Sequence, residues 1–281
     1  MKRKKIIFII LVLLILCIFI DINISQNILL IRKYEVESKN IENEVKIVQL
    51  TDLHCKTFGE NNKNLIRKIK EQNPDIITIT GDMINSDTSN FDELILLIKE
   101  LKNICQVYFS LGNHEYVNKN INDLIKNIES SGAVVLESNY KDIIVNGNHI
   151  RIGGIYEYLI SSMKEKSNYL FAQEFNDTNN FKVLLSHIPD SYVLYDGFKI
   201  INPDIVIGGH YHGGLIRIPF IGGLFAPEQG YFPKFDYGKY NINGHDIIIS
   251  SGLGTSSKIP RINNRPEISV IILKGYGKWR Y

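Results

Sequence analysis

Five short apolar runs, each followed at once by a group of polar residues, constrain the fold of this chain more than any other feature. The runs span residues 45–50, 76–80, 107–111, 183–185 and 205–207. The polar groups that follow them are Asp52 with His54, Asp82, Asn113 with His114 and Glu115, His187, and His210 with His212. Ligands of open α/β sheets bind at the carboxyl ends of the strands. We therefore expect these side chains to meet at one sheet edge.

The segments around these runs predict an α/β fold. Helical spacing of apolar residues over 62–71, 91–102 and 121–130 alternates with the first three runs, which is typical of parallel pairing at the centre of a sheet. Helices are scarce in the second half, where Asn146-Gly147 between two β-rich runs indicates a hairpin. The sequence thus predicts a pair of mixed sheets covered by helices rather than one doubly wound sheet.

The polar groups have the composition of a metal site. Side chains at i and i+2 of an extended chain point to one side, so Asp52 and His54 can bind one ion together, as can His210 and His212. Oxygen and imidazole ligands without thiolate suit zinc, manganese or iron. A single Asp-x-His pair is usually an ordinary turn, but five of the seven histidines fall in these groups. The combination therefore predicts a metal centre.

The order and spacing of the groups resemble the calcineurin-like metallophosphoesterase family, in particular its bacterial exported or membrane-anchored branch. The resemblance rests on Asp52-x-His54, Gly81-Asp82, Gly112-Asn113-His114-Glu115, His187 and Gly209-His210-x-His212. It implies a four-layer αββα sandwich, in which two mixed β-sheets pack face to face and are flanked by helices. The phosphoesterase domain is expected over residues 45–281.

The resemblance also implies a role for each residue of the site. Two divalent ions (manganese, zinc or iron) would be bound, one by Asp52, His54 and His212 and the other by Asn113, His187 and His210. Asp82 would bridge the ions and is, with His114, the expected catalytic residue. His114 would face the substrate, either stabilising the phosphate or protonating the leaving oxygen. Glu115 is expected to orient His114 or to be a solvated loop carboxylate.

These expectations define a reaction. Two ions about 3.5–4 Å apart can bind phosphate oxygens and a bridging water, and can lower the pKa of that water to about 7. The chain is thus predicted to hydrolyse phosphomonoesters or phosphodiesters with a dinuclear centre and a metal-bound hydroxide. The alternative is a catalytically silent metal-binding scaffold, which would be expected to lack ligands, and none is missing. Other metal hydrolases use motifs such as His-x-His-x-Asp-His, which is absent.

The N-terminus predicts attachment to a membrane. Residues 2–5 are all basic and precede a continuous apolar run over 6–20. Fifteen helical residues rise only about 22 Å, less than the roughly 30 Å of the hydrocarbon core. The predicted anchor therefore spans residues 6–24 and carries Asp21 near the interface. A cleaved signal peptide is the alternative, although residues 21–34 offer Ser25 as their one small residue.

The same charge pattern predicts where the chain resides and what it meets. The positive-inside rule places residues 1–5 in the cytoplasm, so a single-pass protein of the cell membrane with an extracytoplasmic catalytic domain is expected. Residues 25–44 are polar and mixed and are predicted to form a short stalk. The net charge of +2 implies no specific nucleic-acid partner.

The sequence leaves the substrate open among phosphoesters. A cell-envelope phosphodiester, a lipid-linked phosphoester and a nucleotide are all compatible with the predicted site. The aromatic and glycine-rich segment 220–240 is expected to cover the core, to shape the mouth of the pocket, or to rest on the membrane surface.

Overall fold

A long N-terminal helix projects from the rest of the molecule in the computed structural model, which describes residues 2–155 and 166–276. Helix α1 covers Lys2–Asn27, and residues 3–20 are exposed throughout. The 26 residues of α1 rise about 39 Å. The helix is therefore long and apolar enough to cross a membrane, and the predicted anchor 6–24 lies inside it.

A six-stranded sheet, here called the first sheet, carries the N-terminal ligand motifs. Its strands are β1 (Leu30–Glu37), β2 (Val45–Leu50), β3 (Ile76–Thr80), β4 (Gln106–Ser110), β5 (Val134–Val135) and β16 (Glu267–Lys274), in the spatial order β1-β16-β2-β3-β4-β5. Strands β2 to β5 are parallel, β16 is antiparallel to β2, and β1 is parallel to β16. The parallel centre of this sheet agrees with the strand–helix alternation of the sequence.

The second sheet carries the C-terminal ligand motifs. Its strands are β6 (Asn139–Val145), β7 (Asn148–Ile155), β8 (Phe181–Ser186), β9 (Ile205–Gly208), β14 (Gly238–Ile242) and β15 (His245–Ile249), in the spatial order β14-β15-β9-β8-β7-β6. The four central strands are parallel and both outer pairs are antiparallel. The predicted hairpin is confirmed, since Asn146 and Gly147 have φ of 50° and 82° and join β6 to β7.

Helices cover the outer faces of both sheets and so complete four layers. The helices are α2 (Lys63–Lys70), α3 (Asp92–Lys102), α4 (Asn113–Tyr116), α5 (Ile121–Ser130), α6 (Lys166–Asn176) and α7 (Asp190–Val193). Leu65 of α2 and Leu97 of α3 pack into the core under the first sheet, and Phe175 of α6 packs against the second. The predicted αββα sandwich is confirmed.

The two sheets are held together by an apolar layer between them. Ile47 and Tyr108 of the first sheet contact a buried cluster that includes Ile152 and Val183 of the second. Each such side chain stabilises the fold by roughly 1.5–3 kcal/mol through removal from water. Near the carboxyl ends of the strands the layer becomes polar. There Gln49 donates hydrogen bonds to Thr80 and to the carbonyl oxygen of Gly208 in the second sheet, so the two sheets present their carboxyl edges to one site.

The predicted stalk over 25–44 is wrong in its central part. Residues Leu30–Glu37 form β1, which pairs with β16 along its whole length. Tyr34 donates a hydrogen bond of 2.9 Å to the buried Glu267. The polar residues of β1 fall mainly on its exposed face, while Tyr34 and Val36 are buried, which is the pattern of an edge strand. The folded domain therefore begins before residue 45.

Candidate metal centre

The structure brings the predicted ligands from both sheets to one site. Ligand atoms of Asp52, His54 and His212 lie within 4.8 Å of one another, and those of Asp82, His187 and His210 do the same. These residues follow β2, β3, β8 and β9, whose carboxyl ends meet across the sandwich. Asn113 begins α4, directly after β4. A third group, His54, Asp82 and His114, shares one residue with each of the other two. The structure therefore brings the predicted aspartate and histidine ligands into one possible metal-binding cluster.

Asp82 lies between the two groups. Its Oδ2 atom is 3.2 Å from His187 Nε2 and 3.7 Å from His54 Nε2. The Nε2 atom of His114 is 4.0 Å away. Because histidines from both sheets converge on this carboxylate, Asp82 has the position of a residue shared by two ions.

The backbone around the site is held in a conformation that L residues rarely adopt. Asp52, His54, Asp82, His210 and His212 all have φ between 49° and 74°. Such left-handed residues cost free energy and concentrate at functional sites. The neighbouring glycines allow close approach, because a Cβ at position 112 would overlap Oδ1 of Asp82 and a Cβ at position 209 would overlap Oδ2 of Asp52.

Burial and mutual charge set the protonation of the site in the metal-free protein. Burial alone would raise the pKa of Asp82, but the adjacent His187 holds that pKa well below its usual range. Burial opposes the charge on His187, yet the Asp82 carboxylate raises the pKa of His187 to about 10. Burial lowers the pKa of His212 to about 3 and also lowers the pKa of His54. Ionised carboxylates and mostly neutral imidazoles are what divalent ions bind.

Hydrogen bonds fix two histidines in the tautomer that a metal requires. His187 donates from Nδ1 to the carbonyl oxygen of Thr80 over 2.6 Å. His54 donates from Nδ1 to Oδ1 of Asn85 over 3.1 Å. Both bonds leave Nε2 as the nitrogen directed into the site, as is usual for metal-binding histidines. In His187 this nitrogen faces Oδ2 of Asp82 at 3.2 Å, and an ion would take the place of its proton. Asn85 was not predicted from the sequence.

Buried polar atoms without partners provide the test of whether ions fit. Among the described residues, His54 Nε2, Asn113 Oδ1 and His212 Nδ1 are buried and make no hydrogen bond. An unsatisfied buried polar group costs roughly 1–3 kcal/mol. These atoms belong to three of the predicted ligands, and bound cations would satisfy them. The donor set therefore fits divalent metal ions.

His114 lies at the mouth of the site, with its ring oriented by a backbone hydrogen bond. Its backbone N–H donates to Oδ1 of Asp82 over 2.8 Å. Its Nδ1 accepts a hydrogen bond from the backbone N–H of Ser86 over 3.1 Å. The neutral ring must then carry its proton on Nε2, and the side chain is 21% exposed. His114 thus presents an N–H donor to the cavity.

Both expected roles of Glu115 are wrong. The side chain is fully buried and accepts backbone hydrogen bonds from Gly112, Asp82 and Met83 at 2.7–2.8 Å. It therefore ties the loop after β3 to the start of α4. Burial and the nearby Asp82 raise the pKa of Glu115 to about 7. The bond from the Gly112 N–H to Glu115 is one half of a capping box, in which a Glu at the third helical position accepts from the backbone of the capping residue. Gly112 has no side chain to make the other half, so the sequence gives only a partial signal of this role.

The aromatic segment 220–240 divides into buried and exposed parts. Phe235 is buried in the core, whereas Phe220, Tyr231 and Phe232 are exposed. Glu228, between β12 (Phe225–Ala226) and β13 (Gly230–Tyr231), places Oε2 3.3 Å from His210 Nε2. The expectation of core cover holds for Phe235, and the loop that carries Glu228 borders the site. No pattern in the sequence pointed to Glu228.

The fold and site define a metallophosphoesterase, and comparison with known proteins establishes the family. Residues 45–214 match the calcineurin-like phosphoesterase family, and the chain belongs to it. The protein is accordingly a hydrolase that acts on phosphoesters.

Several curated bacterial proteins are similar over most of the chain. An uncharacterized metallophosphoesterase of Campylobacter jejuni is 29% identical over 273 residues, which cover 94% of this chain and 68% of that protein. The uncharacterized metallophosphoesterase YkuE of Bacillus subtilis is 27% identical, over a region that covers 82% of this chain and 79% of YkuE. The phosphodiesterase YaeI of Escherichia coli is 28% identical, with coverage of 81% and 82%.

Proposed function

We propose that this protein is a membrane-anchored hydrolase of phosphomonoesters or phosphodiesters that uses a dinuclear metal centre. The observation that supports this most is the position of Asp82, whose carboxylate lies within 4.0 Å of three histidines. A carboxylate shared in this way suits two ions better than one. The similarity to a protein named as a phosphodiesterase supports the same reaction class.

For the two ions we propose the division of ligands that the family resemblance implies. Asp52, His54 and His212 would hold one, and Asn113, His187 and His210 the other, with Asp82 shared. When bound, two divalent ions neutralise phosphate charge and activate water as a nucleophile near neutral pH. Asn113 contributes a neutral oxygen, so the site does not become too anionic to accept phosphate.

His114 is better suited to donate a hydrogen bond than to transfer a proton. Its Nδ1 lone pair is already used by the Ser86 N–H, so the proton on Nε2 belongs to a neutral ring. A neutral imidazole is a poor acid but a good donor to a phosphate oxygen. Of the two roles open for His114, stabilisation of negative charge on the phosphate is therefore the one we propose.

Helix α1 is proposed to be an uncleaved anchor. It runs without a break to Asn27. Ser25 near its end and Leu29 just after it are buried in the domain. Basic residues 2–5 then lie in the cytoplasm and the catalytic domain outside it. A cleavable signal would remove residues that contact the folded domain, so cleavage is disfavoured.

The test is hydrolysis of bis(p-nitrophenyl) phosphate and p-nitrophenyl phosphate by the full chain in detergent. Chelator-treated protein is compared with protein reloaded with manganese or zinc. Asp82→Ala and His210→Ala should each reduce turnover by more than about 100-fold, since even indirect supports of metal ligands are worth 10–100-fold. His149→Ala is the matched control, because His149 is exposed on β7 outside the site. Metal-independent turnover, or turnover that survives both substitutions, would contradict the proposal.

A further inference from the structure

The membrane helix enters the domain at the edge that holds the metal centre. Strand β16 is antiparallel to β2, and β1 is parallel to β16, so the start of β1 lies beside the end of β2. Leu30 pairs with Glu267, and Ser269 pairs with Gln49. Leu30 is therefore level with Thr51, two strand spacings or about 10 Å away. Thr51 directly precedes the ligand Asp52.

The base of α1 is joined to the loops of the metal centre. Oδ2 of Asp21 accepts a hydrogen bond of 2.6 Å from the backbone of Asn263. Oγ of Ser25 accepts one of 3.1 Å from the backbone of Asn264. The side chain of Asn264 in turn donates to the carbonyl oxygen of His212 over 2.7 Å. Ser25, near the end of the helix, is thus linked to the proposed metal ligand His212 through a single residue, Asn264.

These contacts fix the depth of the domain relative to a bilayer. The continuous exposed apolar run of α1 ends at Ile20, and Asp21 is already bonded to the domain. The surface that surrounds Asp21 and Asn263 must then lie where hydrocarbon gives way to headgroups. Without a stalk, the catalytic edge itself faces the membrane.

Exposed apolar side chains lie on two hairpins next to this edge. A cavity of about 310 Å³ is lined by Asp21 and Ser25 of α1 and by Arg217 at the start of β10 (Arg217–Ile218). Phe220 and Ile221 form the tip between β10 and β11 (Gly222–Gly223) and are exposed. Tyr231 and Phe232 are exposed at the end of the hairpin whose loop carries Glu228 beside His210. We call Phe220, Ile221, Tyr231 and Phe232 the apolar rim.

We propose that the apolar rim inserts into the lipid interface beside α1, and that the substrate is a phosphoester carried by a membrane lipid. The proposal rests on the proposed function, which supplies the anchor and the reaction. Aromatic side chains are favoured at the boundary between hydrocarbon and water. The proposed partner of the apolar rim is a lipid bilayer, because α1 directs the same edge of the domain toward the membrane. A phosphate at the headgroup level would then reach the ions without leaving the membrane.

Depth-dependent quenching tests the surface without reference to activity. The full chain would be placed in phosphatidylcholine nanodiscs with or without brominated acyl chains, after replacement of its one tryptophan by Trp279→Phe. Phe220→Trp is compared with Ile144→Trp, because Ile144 is also exposed but lies in the β6–β7 hairpin at the opposite end of its sheet. Brominated lipid should quench the fluorescence of the first variant and leave the second unchanged. If brominated lipid changes the fluorescence of neither variant, the proposal is overturned.

A matched pair of substrates tests the lipid preference. Hexadecyl p-nitrophenyl phosphate in phosphatidylcholine vesicles and ethyl p-nitrophenyl phosphate in solution share the same reacting group. The full manganese-loaded chain should prefer the hexadecyl ester in kcat/KM by at least about tenfold, because burial of two aromatic side chains stabilises the bound state. The double variant Phe220→Ser with Phe232→Ser should lose this preference and keep its activity on the ethyl ester.

The outcomes separate this inference from the proposed function. Failure to hydrolyse any of the p-nitrophenyl esters would contradict the proposed function. Hydrolysis of both esters with no preference for the hexadecyl ester would agree with the proposed phosphoesterase function and would overturn the proposal of a lipid-borne substrate.

Discussion

Replacement of Arg261 by methionine should destabilise the domain and selectively weaken the binding of one of the two proposed ions. The guanidinium is fully buried and donates to the carbonyl oxygens of Asn264, Gly254 and Ser251 at 2.5–2.9 Å. Its partners flank the ligands, because the N–H of Gly254 donates to the carbonyl oxygen of Asp52 and Asn264 holds His212. Arg261 thus supports the group of Asp52, His54 and His212.

Two opposing contributions determine the size of the effect. Burial lowers the pKa of Arg261 from 12.5 to about 10, so keeping it charged costs about 3 kcal/mol. Hydrogen bonds to charged groups contribute roughly 1.5–3 kcal/mol each, and three short ones give about 5–9 kcal/mol. The hydrogen bonds therefore stabilise the fold by more than the burial of the charge costs. Arg261→Met should therefore reduce the free energy of unfolding by about 2–6 kcal/mol, which lowers Tm by roughly 5–20 °C.

The assay combines thermal unfolding with metal titration of the full chain in detergent. Arg151→Met is the matched control, because Arg151 is also buried but pairs with Asp142 on the opposite side of the second sheet. Both variants should unfold at a lower temperature than the wild type. Only Arg261→Met should bind more weakly the ion proposed to be held by Asp52, His54 and His212. If Arg261→Met unfolds like the wild type and binds both ions equally well, the reasoning about its buried hydrogen bonds is wrong.

Three further predictions concern the site itself. In the metal-free protein, Asp82 raises the pKa of His187 to about 10. The stability that protonated His187 contributes, while Asp82 is ionised, is therefore complete below pH 6.5 and is lost as the pH rises through 10. Metal binding at pH 7 should release a proton, measurable by calorimetry in buffers of different ionisation enthalpy, and binding heats that do not depend on the buffer would contradict this. His114→Ala should lower kcat by about 10²–10³-fold at unchanged metal content, whereas loss of an ion would indicate that His114 is a ligand. Gly209→Ala should weaken metal binding, since its Cβ would displace the Asp52 carboxylate, and full metal content at wild-type affinity would refute the predicted overlap.

The sequence predicted the site well where the fold obeys a general rule. Parallel strands bring their carboxyl ends to one edge, so polar groups such as Asp52 with His54 and His210 with His212 could be placed together before their distances were known. The αββα architecture followed from the same runs and from the resemblance to a family. These features depend on local pattern and spacing, which the sequence carries directly.

Features that depend on a distant partner were missed. The sequence predicts a stalk where β1 lies, because Arg32 falls on the same face as the buried Tyr34 and Val36 and hides the alternation. The partner strand β16 lies more than 200 residues away. Arg261 is recognisable as a buried support only when the carbonyl groups around it are known. The same is true of Glu228, which reaches His210 through the fold of a loop. Side chains whose role is set by tertiary contact leave little local signal.

The central claim is a pair of ions joined through Asp82, and electron paramagnetic resonance of the manganese-loaded full chain tests it most directly. Two ions about 3.5–4 Å apart with a shared carboxylate should give the spectrum of an exchange-coupled pair. Asp82→Ala should remove the coupling. A spectrum of isolated manganese ions at full loading of the wild-type protein would contradict the dinuclear centre.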